Sequence, residues 1–444
     1  MTWRRVVSVL RWAVVLLLGT LAVAGLIVLL VLVVASGLFE MRRNLEADQP
    51  WFSGFQASSL AVPIAALIAA GVAITTARWG LRAERERREV ERRDTTERVL
   101  RDRFHDLVKL LAADELRARE GAAYAIAALA DDWHAHYRNE PDKAHAEQQV
   151  CIDVLISQLR DPMPDDDAAY GHMAALKHSI QGIFRSRLGS IDGGTVQPGV
   201  WTSFNLVFDG CTFHYLDLKE RVLSGQLVSF ERAQFIGPAW FDGAHFTGYA
   251  QFRHACFGGV ARFDRARFAG QSTFHKACFT GRSSFSGARF TRYVDFDGAR
   301  FTGTAFFGRT RFVRSASFDG AHFMGNAMFY SARFSENASF SGTHFVRSAW
   351  FGYARFPGKA SFSKTHFIGD VWFDGAGFTK DADFRDAHFV SPRVSLGKAD
   401  LAGGAVWLGD TYFDVPPDDF PKCQECNALR SRQASASGPE NESP

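Results

Sequence analysis

The sequence predicts two transmembrane α-helices, a small α-helical module and then a long parallel β-solenoid, in that order. Three observations carry the prediction. From Phe230 to Phe389 a Phe recurs at alternating spacings of five and six residues, and fifteen eleven-residue units run to about Val394 without an insertion. Two apolar runs open the chain and are followed by a stretch rich in both Arg and Glu. Between that stretch and the repeat, apolar residues follow a helical period.

The first apolar run, Trp12 to Leu38, contains no charged residue and is long enough to span a bilayer. Arg4, Arg5 and Arg11 before it and Ala35-Ser36-Gly37 at its end imitate a signal peptide, but the run is too long and a second one follows. Residues 1–55 are therefore assigned to the first span and an external loop, and residues 56–78 to a second span, Gln56 to Ala77, which tolerates Pro63 near its start. Arg78, Arg82, Arg85, Arg87 and Arg88 follow that span, whereas the loop between the spans has only Arg42 and Arg43. Positive-inside bias makes this a hairpin with both termini in the cytoplasm, an integral membrane protein whose first partner is the lipid bilayer.

Residues 79–112 read as a charged juxtamembrane helix, with opposite charges such as Arg82 and Glu86, Arg87 and Glu91, and Glu89 and Arg93 spaced for intrahelical pairing. It could press Arg against anionic lipid heads or serve as a solvated stalk. An α-helical module is expected over 104–188, from Leu107, Leu110 and Leu111 through Ala122–Leu129 and Val150–Leu159 to Ala174–Leu188. Gly189 to Gly199 reads as a linker. Val200 to Ser229 holds broken repeats, with Phe208, Phe213, Leu218 and Leu223 at five-residue steps, as expected of a terminal coil.

The repeat itself reads F-x-x-A-x-F-x-G-x-A-x, as in Phe241-Asp-Gly-Ala-His-Phe246-Thr-Gly-Tyr-Ala-Gln251. An eleven-residue period would suit a right-handed helical supercoil, but Gly at this frequency costs about 1 kcal/mol each against Ala in a helix. Ala two residues before Phe instead puts both side chains on one side of a short strand. These residues resemble a pentapeptide-repeat protein of the Phe-rich subclass, over roughly Phe204 to Phe413, with Ala399-Asp-Leu401 close to the Leu form. The resemblance implies a right-handed quadrilateral parallel β-helix over 200–413. It also implies a bacterial plasma-membrane protein of actinobacterial type, in which a loosely HEAT-like module lies between spans and solenoid. The extra corner residue in every second strand (Tyr249, Val260, Gln271) departs from a plain five-residue period and leaves the corner shapes open.

If two units make one turn, outward positions 22 apart should stack, and the residues before Phe do sort that way. One face carries Arg267, Arg289, Arg311, Arg333 and Arg355. Another carries Cys256, Cys278, Arg300, His322, His344, His366 and His388, and a third Trp240, Phe306, Met328, Trp350 and Trp372. The fourth is polar, running from Thr273 and Asp295 to Asp383. Such a rod, roughly 36 Å long at about 4.8 Å per coil, has no internal cavity. Function must sit on its faces or ends.

No Gly-rich phosphate loop and no nucleophile–base pattern is present, so no enzyme activity and no cofactor are expected. Cys423-Gln-Glu-Cys426 lacks the second pair of a zinc ribbon and is a weak metal candidate, in a tail (414–444) too polar to fold. The His row could sense a fall in pH or share a soft metal, and the Arg row could bind an anion or nucleic acid; both residue types are also ordinary on a solenoid exterior. Phe306, Met328, Trp350 and Trp372 are least expected on a solvated face and form the candidate surface for a protein partner or a second copy of the chain. The resemblance offers one alternative, a topoisomerase-associated DNA mimic, which needs an acidic rod. Residues 230–394 instead hold 17 Arg and 4 Lys against 10 Asp and 2 Glu, a net +9 that disfavours the mimic. The expectation is a membrane-anchored, non-catalytic scaffold.

Overall fold

The computed structural model describes residues 57–391, 393–395, 399–400, 406–409 and 411–413. The first predicted span and the Cys423/Cys426 pair lie outside them. The chain divides into two compact units at Thr95. Helix α1 (Ala57–Leu111) carries the run read as the second span and the charged stretch after it. In the first unit Leu67, Val72, Ile74 and Trp79 are exposed, and Arg88 pairs with Glu84 at 2.5 Å. Among the described residues no helix is long and apolar enough to cross a membrane.

The second unit begins with the last turns of α1, whose Leu100, Leu107 and Leu111 are buried, and continues through α2 (Leu116–His136), α3 (Pro141–Arg160) and α4 (Asp167–Arg187). The Ala-rich face of α2 lets neighbouring helices approach closely: Ala122, Ala123, Ile126, Ala127 and Ala130 are all buried, with Trp133 stacked on Tyr137 at 5.7 Å. Asp166 caps α4 by accepting from the Ala169 amide at 2.8 Å. Lys177, buried on α4, donates to the carbonyls of Leu159 (3.0 Å) and Asp161 (2.6 Å) and so satisfies the C-terminal end of α3.

From Leu206 to Phe413 the described residues form a right-handed-type parallel β-solenoid of about nine turns. With the hairpin that precedes it, its short strands form four sheets of 10, 10, 10 and 9 described strands, and through the regular coils each strand is hydrogen-bonded to the one four places on. Ladder partners are 22 residues apart through the regular coils, as in Phe257↔Phe279 and Arg289↔Arg311. The Phe rings are buried and stack along the axis, Phe252 on Phe274 at 4.8 Å and 1°, while neighbours within the bore meet edge to face, Phe252 against Phe263 at 5.5 Å and 88°. Both arrangements are the favoured ones for aromatic pairs.

Two kinds of corner explain the alternation of five and six. In the five-residue corner the residue two past Phe has positive φ and the following Ala amide donates back to the Phe carbonyl, as in Gly243 (φ 65) with Ala244 to Phe241 at 3.0 Å. This is a turn that favours Gly at its third position, yet His254, Arg265, Lys276 and Tyr353 also occupy it. In the six-residue corner several Gly are confined by the coil before them, although Arg292, Arg314, Glu336 and Arg347 occupy the equivalent position elsewhere. A Cβ at Gly270 would come closer than 3.0 Å to the Gly248 carbonyl of the previous coil.

Residues 189–199 are not a linker. They form a hairpin, β1 (Gly189–Asp192) and β2 (Thr195–Gln197), turned by Gly193 and Gly194 at φ 54 and 87. Two successive positive-φ glycines between strand-forming triplets are a two-residue hairpin signal. Strand β1 pairs antiparallel with β6 (Arg221–Leu223), covering an edge of one sheet. A second edge, β3 (Leu206–Val207), is closed by α3: Arg160 donates to the Val207 and Asp209 carbonyls at 2.8 and 3.0 Å, and Gln149 to the Asn205 carbonyl at 2.9 Å. Phe184 and buried Trp201 join the module to the first ring of the bore, with Phe184 5.3 Å from Phe208.

Candidate functional site

With the bore filled, the candidate sites are the outward residues of the four sheets. On the aromatic face Met328, Trp350 and Trp372 are successive ladder partners, and the two indoles stack at 4.0 Å. Trp350 stays 39% exposed and Trp372 and Met328 are half-buried. Phe306 lies lower, under the Arg282 guanidinium at 4.3 Å. Trp240 stands apart: Arg262 and Ser284 intervene in the ladder, and Lys219 and Arg262 cover its ring at 4.5 and 5.2 Å.

Sequence reading missed how far this surface extends. Met324, Val346 and Ile368 repeat at the corner before the face and are 52%, 40% and 42% exposed. At the corner after it Tyr330 and Tyr353 are exposed with rings 5.5 Å apart. All five sit one or two residues past a core Phe; counting at the same 22-residue stride would have found Met324, Val346 and Ile368, whereas Tyr330 and Tyr353 are 23 apart and fall on different corner positions. The apolar surface thus covers one face and both flanking corners over about three coils.

On the histidine face the rings of His322, His344 and His366 stack at 4.8 and 4.6 Å, while His388 turns to 72° from His366. The Nδ1 atoms of His344 and His366 are buried without a hydrogen-bond partner. Burial, then the neighbouring His366 and His322, holds His344 below the usual imidazole range; burial and Arg300 do the same to His322. Parallel rings aim their nitrogen lone pairs side by side instead of at a common point, and among the described residues no group of three or more His, Cys, Asp or Glu could hold a metal ion. Lower on this face Cys256 and Cys278 are free thiols in direct register, and burial with the Cys278 hydrogen bond pushes the Cys256 thiol up to about 11. That is far from a reactive thiolate at neutral pH.

The arginine face is a ladder from Arg267 to Arg355, every member exposed. The polar face is a network of side-chain hydrogen bonds, including Thr273 to Asp295 at 3.2 Å and Ser317 to Asp297 at 2.5 Å.

The family model described as Pentapeptide repeats (9 copies) matches residues 208–256, 241–289, 252–300, 285–333 and 329–377. No curated protein and no solved structure matches the chain.

Proposed function

From a chain built on pentapeptide repeats coiled into a β-solenoid, we propose a membrane-anchored, non-catalytic scaffold that docks a protein on the aromatic face of the solenoid. The observation that carries the reading is the exposed aromatic and aliphatic surface around Trp350 and Trp372. Solvated faces of a repeat rod have no need of stacked indoles flanked by Met324, Val346, Tyr330 and Tyr353. Large aromatics with an adjoining row of Arg are also the composition of interface centres. Anchoring is supported by the uncharged run Trp12 to Leu38, by the second apolar run from Gln56, and by the exposed Leu67, Val72 and Ile74 of α1. The Arg distribution around these runs favours two spans with both termini cytoplasmic.

The test is a crosslinked pull-down from membranes, comparing the intact chain with Trp350→Ser/Trp372→Ser. A specific adduct, with another protein or with a second copy, that disappears in the variant supports the aromatic face. An unchanged set of adducts overturns it and moves attention to the helical module.

A further inference from the structure

Arg267, Arg289, Arg311, Arg333 and Arg355 are ladder partners in sequence along one sheet, so their backbones are about 4.8 Å apart. Like charges at this spacing repel, and acidic cross-strand neighbours would relieve the row. Here the neighbouring carboxylates are engaged elsewhere. Asp264 takes Arg262 at 3.1 Å and the Ser284 hydroxyl, and Glu336 takes Arg314 at 2.5 Å. Among the described residues none of the five Arg has an acidic partner within ion-pair distance, and all are exposed. The row therefore presents five guanidinium groups, each with donors free for an external oxyanion.

We infer that this face lies on the phosphate-bearing headgroups of an anionic lipid bilayer. The choice of lipid as the source of the phosphate rests on the anchoring proposed above, which would keep the solenoid beside a membrane. Two features favour a planar lipid surface over a nucleic acid. Tyr353, two residues before Arg355 at the adjoining corner, is 55% exposed, an apolar ring with a polar tip suited to headgroup depth. The nearby rings are also partly occupied by one another, with one face of Trp350 against one face of Trp372 at 4.0 Å and Tyr330 edge to face with Tyr353, which leaves fewer ring faces for stacked bases.

The full chain is reconstituted in nanodiscs of phosphatidylcholine alone or mixed with phosphatidylglycerol. It is then treated with an arginine-selective dicarbonyl, and modification is read at each Arg by mass spectrometry. Modification of Arg289 and of Arg311 slows about fivefold in the anionic discs and recovers at high salt, as expected when each Arg gains about 1 kcal/mol from an anionic surface. Arg253, exposed at the corner between the polar and histidine faces, keeps its rate and serves as the internal control. A second measurement compares Arg289→Gln/Arg311→Gln with the intact chain. These exposed sites leave folding intact, and binding to anionic vesicles falls about thirtyfold. Equal rates in the two kinds of disc overturn the inference, as does protection by added RNA with none from anionic lipid. If the chain associates with neither disc, the anchoring reading fails. Protection of the five Arg by free anionic vesicles then sustains the lipid face, and its absence overturns that too.

Discussion

Replacing Phe296 by Ala removes a ring that is fully buried and packed on four sides. It stacks on Phe274 at 4.7 Å and Phe318 at 4.9 Å, and meets Phe285 and Phe307 edge to face at 5.4 and 5.5 Å. Losing the buried side chain costs about 1.5–3 kcal/mol in transfer, and a cavity that stacked coils cannot close raises the total to about 4 kcal/mol. Phe296→Leu fills most of that volume and costs about 1–1.5 kcal/mol, mainly the lost ring contacts. Because each coil touches only its neighbours, the damage is local. Amide hydrogen exchange followed by mass spectrometry is expected to lose protection over residues 274–318 in Phe296→Ala. Residues near the module and beyond 360 should keep theirs. Uniform loss along the rod, or a cost in urea below about 1 kcal/mol, would refute the stacked-ring account.

Gly270→Ala places a methyl closer than 3.0 Å to the backbone of the previous coil and should lower stability by about 1–3 kcal/mol in a thermal melt, whereas Gly320→Ala, with no atom within 4 Å of the added methyl, is limited to the strain of its positive φ, about 1 kcal/mol. His344 has its folded-state pKa depressed below the ordinary value of 6.5 by burial first and by His366 and His322 next. Its contribution to stability is complete above pH 6.5 and is lost as pH falls through the lower folded value, so urea midpoints should drop on that side and the drop should be smaller in His344→Gln. Trp350→Ser alters an exposed side chain and should change stability by less than about 1 kcal/mol, so loss of a partner in that variant reports binding and not folding.

The coil was legible because its pattern has one strict period and its inward positions have one physical role: Phe and Ala inside, with Gly at several of the corners confined by the previous coil. The four face rows followed from the same stride, and their ladder pairing is seen directly in Arg311↔Arg333 and Trp350↔Trp372. The hairpin at 189–199 was hidden because Gly-rich composition suggests a linker unless the Gly193-Gly194 pair is read as a turn between strands. The cap was hidden because Arg160 and Gln149 act on backbone carbonyls about fifty residues away, and such contacts leave no local pattern. The surface around Trp350 was half legible: Trp372 and Met328 lie at strand positions, but Tyr330, Tyr353 and Met324 lie at corners, where composition varies freely. Ion pairs on α1 also differ from the expected ones, with Glu84–Arg88 and Glu97–Arg101 formed, since several register choices are equally spaced on a helix dense in both charges.

The most direct test of the docking surface is photo-crosslinking in intact cells, with a light-activated residue placed at Val346, exposed at the corner before the aromatic face, in one chain and at Ser339 on the opposite, polar face in another. The account predicts a discrete adduct from position 346 that is lost on Trp350→Ser/Trp372→Ser, and none from position 339. Adducts of equal yield from both positions, or an adduct from 339 alone, would contradict it.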